Sequence, residues 1–78
     1  MQPEYKTRDM YLASYLVMHG LALVKLERDG KRFSFVFSEV PRLKELADEF
    51  YSRKAQVEPM QYTMAMKQVK SQMYNQVT

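Results

Sequence analysis

LALVKLERDGKRFSFVF, residues 21–37, carries two runs of period two on either side of Asp29-Gly30. In the first run Ala22, Val24 and Leu26 alternate with Leu23, Lys25 and Glu27; in the second Phe33, Phe35 and Phe37 alternate with Arg32, Ser34 and Val36. Asp-Gly between two alternating runs predicts a β-hairpin with a type I′ turn, which needs positive φ at both central residues. Three phenylalanines on one strand face, each able to bury about 150–250 Å², make that face the floor of the core. A two-stranded ribbon is marginal alone, so helices must cover it, and the extended stretch Ala55–Val57 offers a third strand.

Outward from the hairpin the period becomes helical. Upstream, Thr7 is placed to cap a helix beginning near Arg8 and ending at Gly20, with Asp9 in its first turn and His19 beside its last carbonyls. Its apolar residues lie on two flanks, Leu12, Ala13, Leu16 and Val17 on one and Tyr11, Tyr15 and Met18 on the other. One sheet can cover only one stripe, so the second flank is either enclosed by other elements or left for a partner. Downstream, Ser38 and Pro41 open a second helix in which Leu43, Leu46, Ala47 and Phe50 repeat at i, i+3, i+4 and i+7, ending near Ser52. Glu58-Pro59 opens a third with an inward seam of Tyr62, Ala65, Met66, Val69 and Met73. The fold class is α+β: a small antiparallel β-hairpin sheet covered on one face by three helices, in the order α-β-β-α-α. Residues 1–78 read as a single domain with a frayed lead, 1–6, and a frayed tail, 75–78.

Composition narrows the function. The chain of 78 residues has formal net charge +3, two glycines and no cysteine. A chain of this length buries about 60% of its unfolded surface, so a partner or second copy can add to a thin core. Without cysteine there is no disulfide or thiolate zinc site, and cytoplasmic placement is expected. No apolar stretch is long enough for a membrane span, and the charged N-terminal residues do not form a signal peptide. His19 is the sole imidazole, the carboxylates Glu45, Asp48 and Glu49 lack further ligands, and Gly20 and Gly30 serve turns rather than a phosphate loop. No catalytic residue, metal, cofactor or small-molecule substrate is therefore expected.

Two interaction surfaces remain. Tyr11 and Tyr15 on the first helix, with Met60 and Met64 off the seam of the third, form the candidate protein-contacting patch, for a protein partner or a homodimer. The alternative is nucleic-acid binding. Residues 1–52 hold equal numbers of acids and bases, whereas Arg53, Lys54, Lys67 and Lys70 face only Glu58 in residues 53–78. Lys67, Lys70 and Tyr74 share a helix face on which lysines can meet phosphates and the tyrosine can stack a base. Arg28, Lys31 and Arg32 cluster at the hairpin turn. Neither helix-turn-helix glycine spacing nor a ribonucleoprotein aromatic motif accompanies these bases.

Several signatures together resemble a family of short bacterial and mobile-element proteins known only as a domain of unknown function. They are Thr7-x-Asp9-x-Tyr11-Leu12-Ala13-x-Tyr15-Leu16 closed by Gly20, Glu27-Arg28-Asp29-Gly30-x-Arg32, Phe33-x-Phe35-x-Phe37, the passage from Phe50-Tyr51 to Val57-x-Pro59, and Lys67-x-x-Lys70-Ser71. The resemblance spans residues 5–74. It implies the order of elements and a prokaryotic, phage or plasmid setting, in which a small protein would act on a larger protein, as an adaptor or regulator, or on a nucleic acid. It assigns no catalytic or binding residue.

Overall fold

The computed structural model describes residues 3–77, with the order β1 (Glu4–Thr7), α1 (Met10–Met18), β2 (Leu23–Asp29), β3 (Arg32–Ser38), α2 (Pro41–Tyr51) and α3 (Pro59–Val77). The expected α+β architecture is present. Its sheet is antiparallel with strand order β1-β3-β2, so the phenylalanine strand is central. Phe35, Phe37 and Leu26 meet Leu12, Leu16, Leu43, Leu46 and Val69 in one core.

The third strand comes from the N-terminus, not from Ala55–Val57, which is an irregular connection. Residues 4–6, expected as part of a frayed lead, pair with β3 in the register Glu4↔Ser38, Tyr5↔Phe37, Lys6↔Val36. Tyr5 packs against the core while Glu4 and Lys6 take the other face, an alternation that fits a half-covered edge strand. Residues 1, 2 and 78 lie outside the described residues, and the helical backbone of α3 runs on to Val77.

The hairpin forms with two corrections. Asp29 pairs with Arg32, so Gly30-Lys31 are the central turn residues, and only Gly30 has positive φ, +64°. That is the type II′ pattern rather than I′. The register also shifts between Leu23 and Lys25, leaving Val24 as a bulge. The extra residue resets the alternation: Leu23 and Leu26 both pack toward the core, and Val24 is exposed.

On the uncovered face, Lys6 Nζ reaches across β3 to Glu27 Oε1 at 2.9 Å, and Lys25 Nζ lies 3.9 Å from Glu4 Oε2 and 4.0 Å from Glu27 Oε2. The hydrogen bond and charge of Glu27 raise the pKa of Lys6, and that of Lys6 holds Glu27 below the usual carboxylate range. Val36 sits between Lys6 and Lys25 in register and is 0% exposed. The lysine stems cover it while their ammonium groups stay wet.

Helix ends follow the strands' demands. Thr7 belongs to β1, so Asp9 caps α1 instead, its Oδ1 accepting the Tyr11 and Leu12 amides at 2.9 and 3.2 Å. Ser38 is likewise held in β3, and α2 starts at Pro41 after Val40, without a side-chain cap. Both α1 and α2 end in paired 6→1 and 5→2 hydrogen bonds: Leu21 N–H to Leu16 O with Gly20 N–H to Val17 O, and Lys54 N–H to Glu49 O with Arg53 N–H to Phe50 O. The left-handed residue is Gly20 in the first, φ +88°, but Arg53 in the second, φ +64°. A Cβ at Gly20 would touch nothing within 4 Å, so its cost is purely backbone. Gly20→Ala is expected to destabilise by about 1 kcal/mol, and Arg53→Gly to stabilise by about 0.5–1 kcal/mol, or about 2–8 °C in melting temperature. Paired thermal melts check both signs; a lower melting temperature for Arg53→Gly would refute the strain at that position.

Candidate functional site

α1 is enclosed from Leu12 to Leu16, five consecutive buried residues, and Ser14 satisfies its hydroxyl by donating to Met10 O at 2.8 Å. The second flank of this helix is thus largely covered from within. Tyr15, expected as a partner anchor, is 1% exposed and belongs to the core. Its ring packs on Phe50 and edge-on to His19, with centroids 5.6 and 4.6 Å away, and its hydroxyl donates to Glu49 Oε2 at 3.2 Å. Burial, followed by the Glu49 contact, raises its pKa.

Around the start of α1, Asp9 Oδ2 accepts the Tyr51 hydroxyl at 3.1 Å and Tyr11 O accepts the Tyr62 hydroxyl at 2.9 Å. The pKa of both phenols is raised, chiefly by burial and then by the neighbouring Asp9 carboxylate. These bonds tie α1 to α2 and α3, and Asp9 is fully engaged in capping. His19 Nδ1 lies 3.5 Å from Arg42 Nη2, and its Nε2 is enclosed with no hydrogen-bond partner. No described group of three or more histidine, cysteine or carboxylate side chains is arranged to hold a metal ion.

The other three proposed anchors are on the surface: Tyr11 at 56% exposure, Met60 at 67% and Met64 at 66%. With Lys67, Ser71 and Tyr74 the two methionines fall on one solvent face of α3, spaced 4, 3, 4 and 3 residues apart. The opposite face meets the core through Tyr62, Val69 and Met73 and buries Ala65, as expected, whereas Met66, also expected on that seam, is half-buried and not part of the core packing.

The basic residues separate into three groups. Arg53 and Lys54 close α2 and line none of the grooves described here. Lys70 and Tyr74, by contrast, meet the hairpin cluster. An open hollow of about 400 Å³ is lined by Arg8, Met10, Lys31, Arg32, Phe33, Phe35 and Met73. A second, of about 310 Å³, shares Met10, Phe33 and Met73 with it and adds Lys70 and Tyr74. Together they form one apolar groove with a basic rim. Arg28 flanks it, its Cζ 5.9 Å from the Phe33 ring centroid and its Nε donating to Gly30 O at 2.9 Å. Lys67 remains on the solvent stripe outside this lining.

Sequence reasoning found the hairpin cluster and the Lys70–Tyr74 face separately. It missed Arg8, Met10 and Phe33 as groove residues. Phe33 read as core and does pack against it, half-buried, but near the start of β3 it also lines both hollows. The signal available was the basic Arg8 immediately before α1, on the same end of the molecule as the turn in an up-and-down arrangement.

No described helix is long and apolar enough to cross a membrane. Among curated proteins and solved structures, none matches the chain. Over residues 2–75, from β1 through most of α3, the sequence fits a domain of unknown function, DUF5659, and the chain belongs to that family.

Proposed function

We propose that this protein is a non-enzymatic interaction module that docks an amphipathic helix of a larger partner, in a prokaryotic or mobile-element setting, onto the solvent face of α3. The observation that carries this reading is the pair Met60 and Met64, each two-thirds exposed, on a face with heptad-like spacing. From Pro59 to Met66 this helix bears no charge, so nothing in that stretch opposes desolvation. Alternating spacings of four and three are those with which one helix seats side chains between those of another. Tyr11 is tied to α3 through its carbonyl, which accepts the Tyr62 hydroxyl, and is itself more than half exposed.

Lys67 at the middle of the stripe selects the kind of partner. A second copy paired over the full stripe, parallel in register or antiparallel, would set Lys67 against Lys67. A different helix with a carboxylate opposite Lys67 avoids that repulsion, so a heterologous partner fits better than a homodimer.

Met60→Gln/Met64→Gln keeps helix propensity and charge while removing the apolar contact. Burying what is now exposed of two methionines is worth about 2–4 kcal/mol, so partner affinity should fall about 30- to 700-fold. The check is comparative capture from the source cells: a protein retained by the wild type and released by the double variant, both with the same melting temperature. Identical capture by the two proteins refutes this surface. A stable dimer by light scattering that dissociates in the double variant refutes the heterologous assignment.

A further inference from the structure

A groove separate from the methionine pair lies at the hairpin end of the domain. We infer that the hairpin end of the domain binds single-stranded nucleic acid, with phosphates on the rim and bases against the aromatic side chains. The fold gathers cations from distant positions, Arg8 before α1, Lys31 and Arg32 at the turn, and Lys70 late in α3, around a floor of Met10, Phe33 and Met73. Among the described residues none of these four cations lies within ion-pair distance of a carboxylate, whereas Lys6 and Lys25 are both paired. Glu4 and Glu27 are engaged on the opposite sheet face and Asp9 in the α1 cap and with Tyr51, while Asp29, opposite Arg32 in the hairpin register, forms no ion pair among the described residues and offsets part of the rim's charge. An unpaired basic rim attracts a polyanion.

The aromatic side chains decide which polyanion. Tyr74 is 73% exposed beside Lys70, and the Phe33 ring lines both hollows with Arg28 beside it. Flat π surfaces between cations match a chain that alternates bases with phosphates, because stacking is available to every base and needs no sequence. An acidic peptide would use the cations and leave Tyr74 idle. A duplex hides its base faces and presents only edges in its grooves, so an exposed tyrosine beside a phenylalanine-lined hollow favours unpaired strands.

The test uses the full chain and fluorescein-labelled 12-nucleotide oligo-dT and oligo-rU, read by anisotropy. Four phosphate contacts predict a log–log salt slope near −2.8, so affinity should fall about 50-fold from 50 to 200 mM salt. Lys31→Glu/Lys70→Glu should abolish binding. Tyr74→Ala should weaken it about tenfold without changing the salt slope, and Tyr74→Phe should keep it. Met60→Gln/Met64→Gln should leave it intact, which separates this site from the helix-docking surface. Several outcomes would overturn the assignment: no anisotropy change at 20 mM salt, equal affinity for a duplex of the same length, equal competition by poly-glutamate per charge, or an unchanged affinity in Tyr74→Ala. Thermal melts of each variant establish that the fold is retained.

Discussion

Tyr15→Ala is expected to remove a large fraction of the protein's stability, about 3–5 kcal/mol, whereas Tyr11→Ala should leave the unfolding midpoint close to that of the wild type. The two residues are one helical turn apart, and their types are identical, so the contrast isolates burial. Tyr15 is 1% exposed and fills the space between Phe50 and His19, while more than half of Tyr11 is in solvent. Truncating a large buried ring costs about 3–5 kcal/mol, through lost transfer energy and the cavity left behind. A domain of 78 residues has only about 4–12 kcal/mol in total. Tyr15→Phe keeps the ring and loses only the bond to Glu49, so its cost should stay near 1 kcal/mol. Ionisation supplies a second readout. The raised pKa of Tyr15 means that the folded state favours the neutral phenol, so this contribution is complete below the unfolded value near 10 and is lost as pH rises through the folded value. Alkaline destabilisation should be smaller in Tyr15→Phe than in the wild type, with Tyr51 and Tyr62 supplying the remainder. Urea melts followed by circular dichroism measure all of this; a wild-type midpoint for Tyr15→Ala would remove Tyr15 from the core.

Where the sequence carried a long, regular period, it was legible. The Phe33-Phe35-Phe37 alternation and the i, i+3, i+4, i+7 series of α2 each placed an element and its buried face. Tyr15 was harder, because a tyrosine with a wet hydroxyl and one inside the core look alike until a second helix supplies Phe50 and Glu49. Val24 shows another limit: Leu23, Val24 and Leu26 are all apolar, so either of two phases satisfies the pattern, and only pairing with β3 reveals the bulge. Thr7 and Ser38 were plausible caps by residue type, yet both serve strands, and a cap cannot be assigned without knowing where the preceding strand ends. Arg53 carried no signal for a left-handed turn, since glycine is the residue that announces one. The groove was scattered across four segments, and its coherence depends on the central position of β3 and the crossing of α3 past Met10.

A chain started at Arg8 should lose its cooperative fold, although four strand residues were the least conspicuous element in the sequence. β1 covers one whole edge of β3, and without it the backbone groups beside Phe35, Val36 and Phe37 have no partner. What remains is a two-stranded ribbon, which is marginal by itself, with a long apolar edge open to other chains. The same truncation removes Tyr5 from the core and the Lys6 stem from Val36. The forfeited apolar burial is on the order of 3 kcal/mol, equivalent to about 12–24 °C in melting temperature for a domain this size. Aggregation on size-exclusion chromatography, or a broad and early thermal transition, is the expected result. Glu4→Ala/Lys6→Ala provides the comparison, because it dismantles the ionic lattice but keeps the strand. Exposed ion pairs contribute little and are screened by salt, so this variant should melt close to the wild type, and closer still in 1 M NaCl. If the truncated chain melts like the full one while the double alanine variant does not, charge across the sheet rather than strand pairing is what β1 supplies.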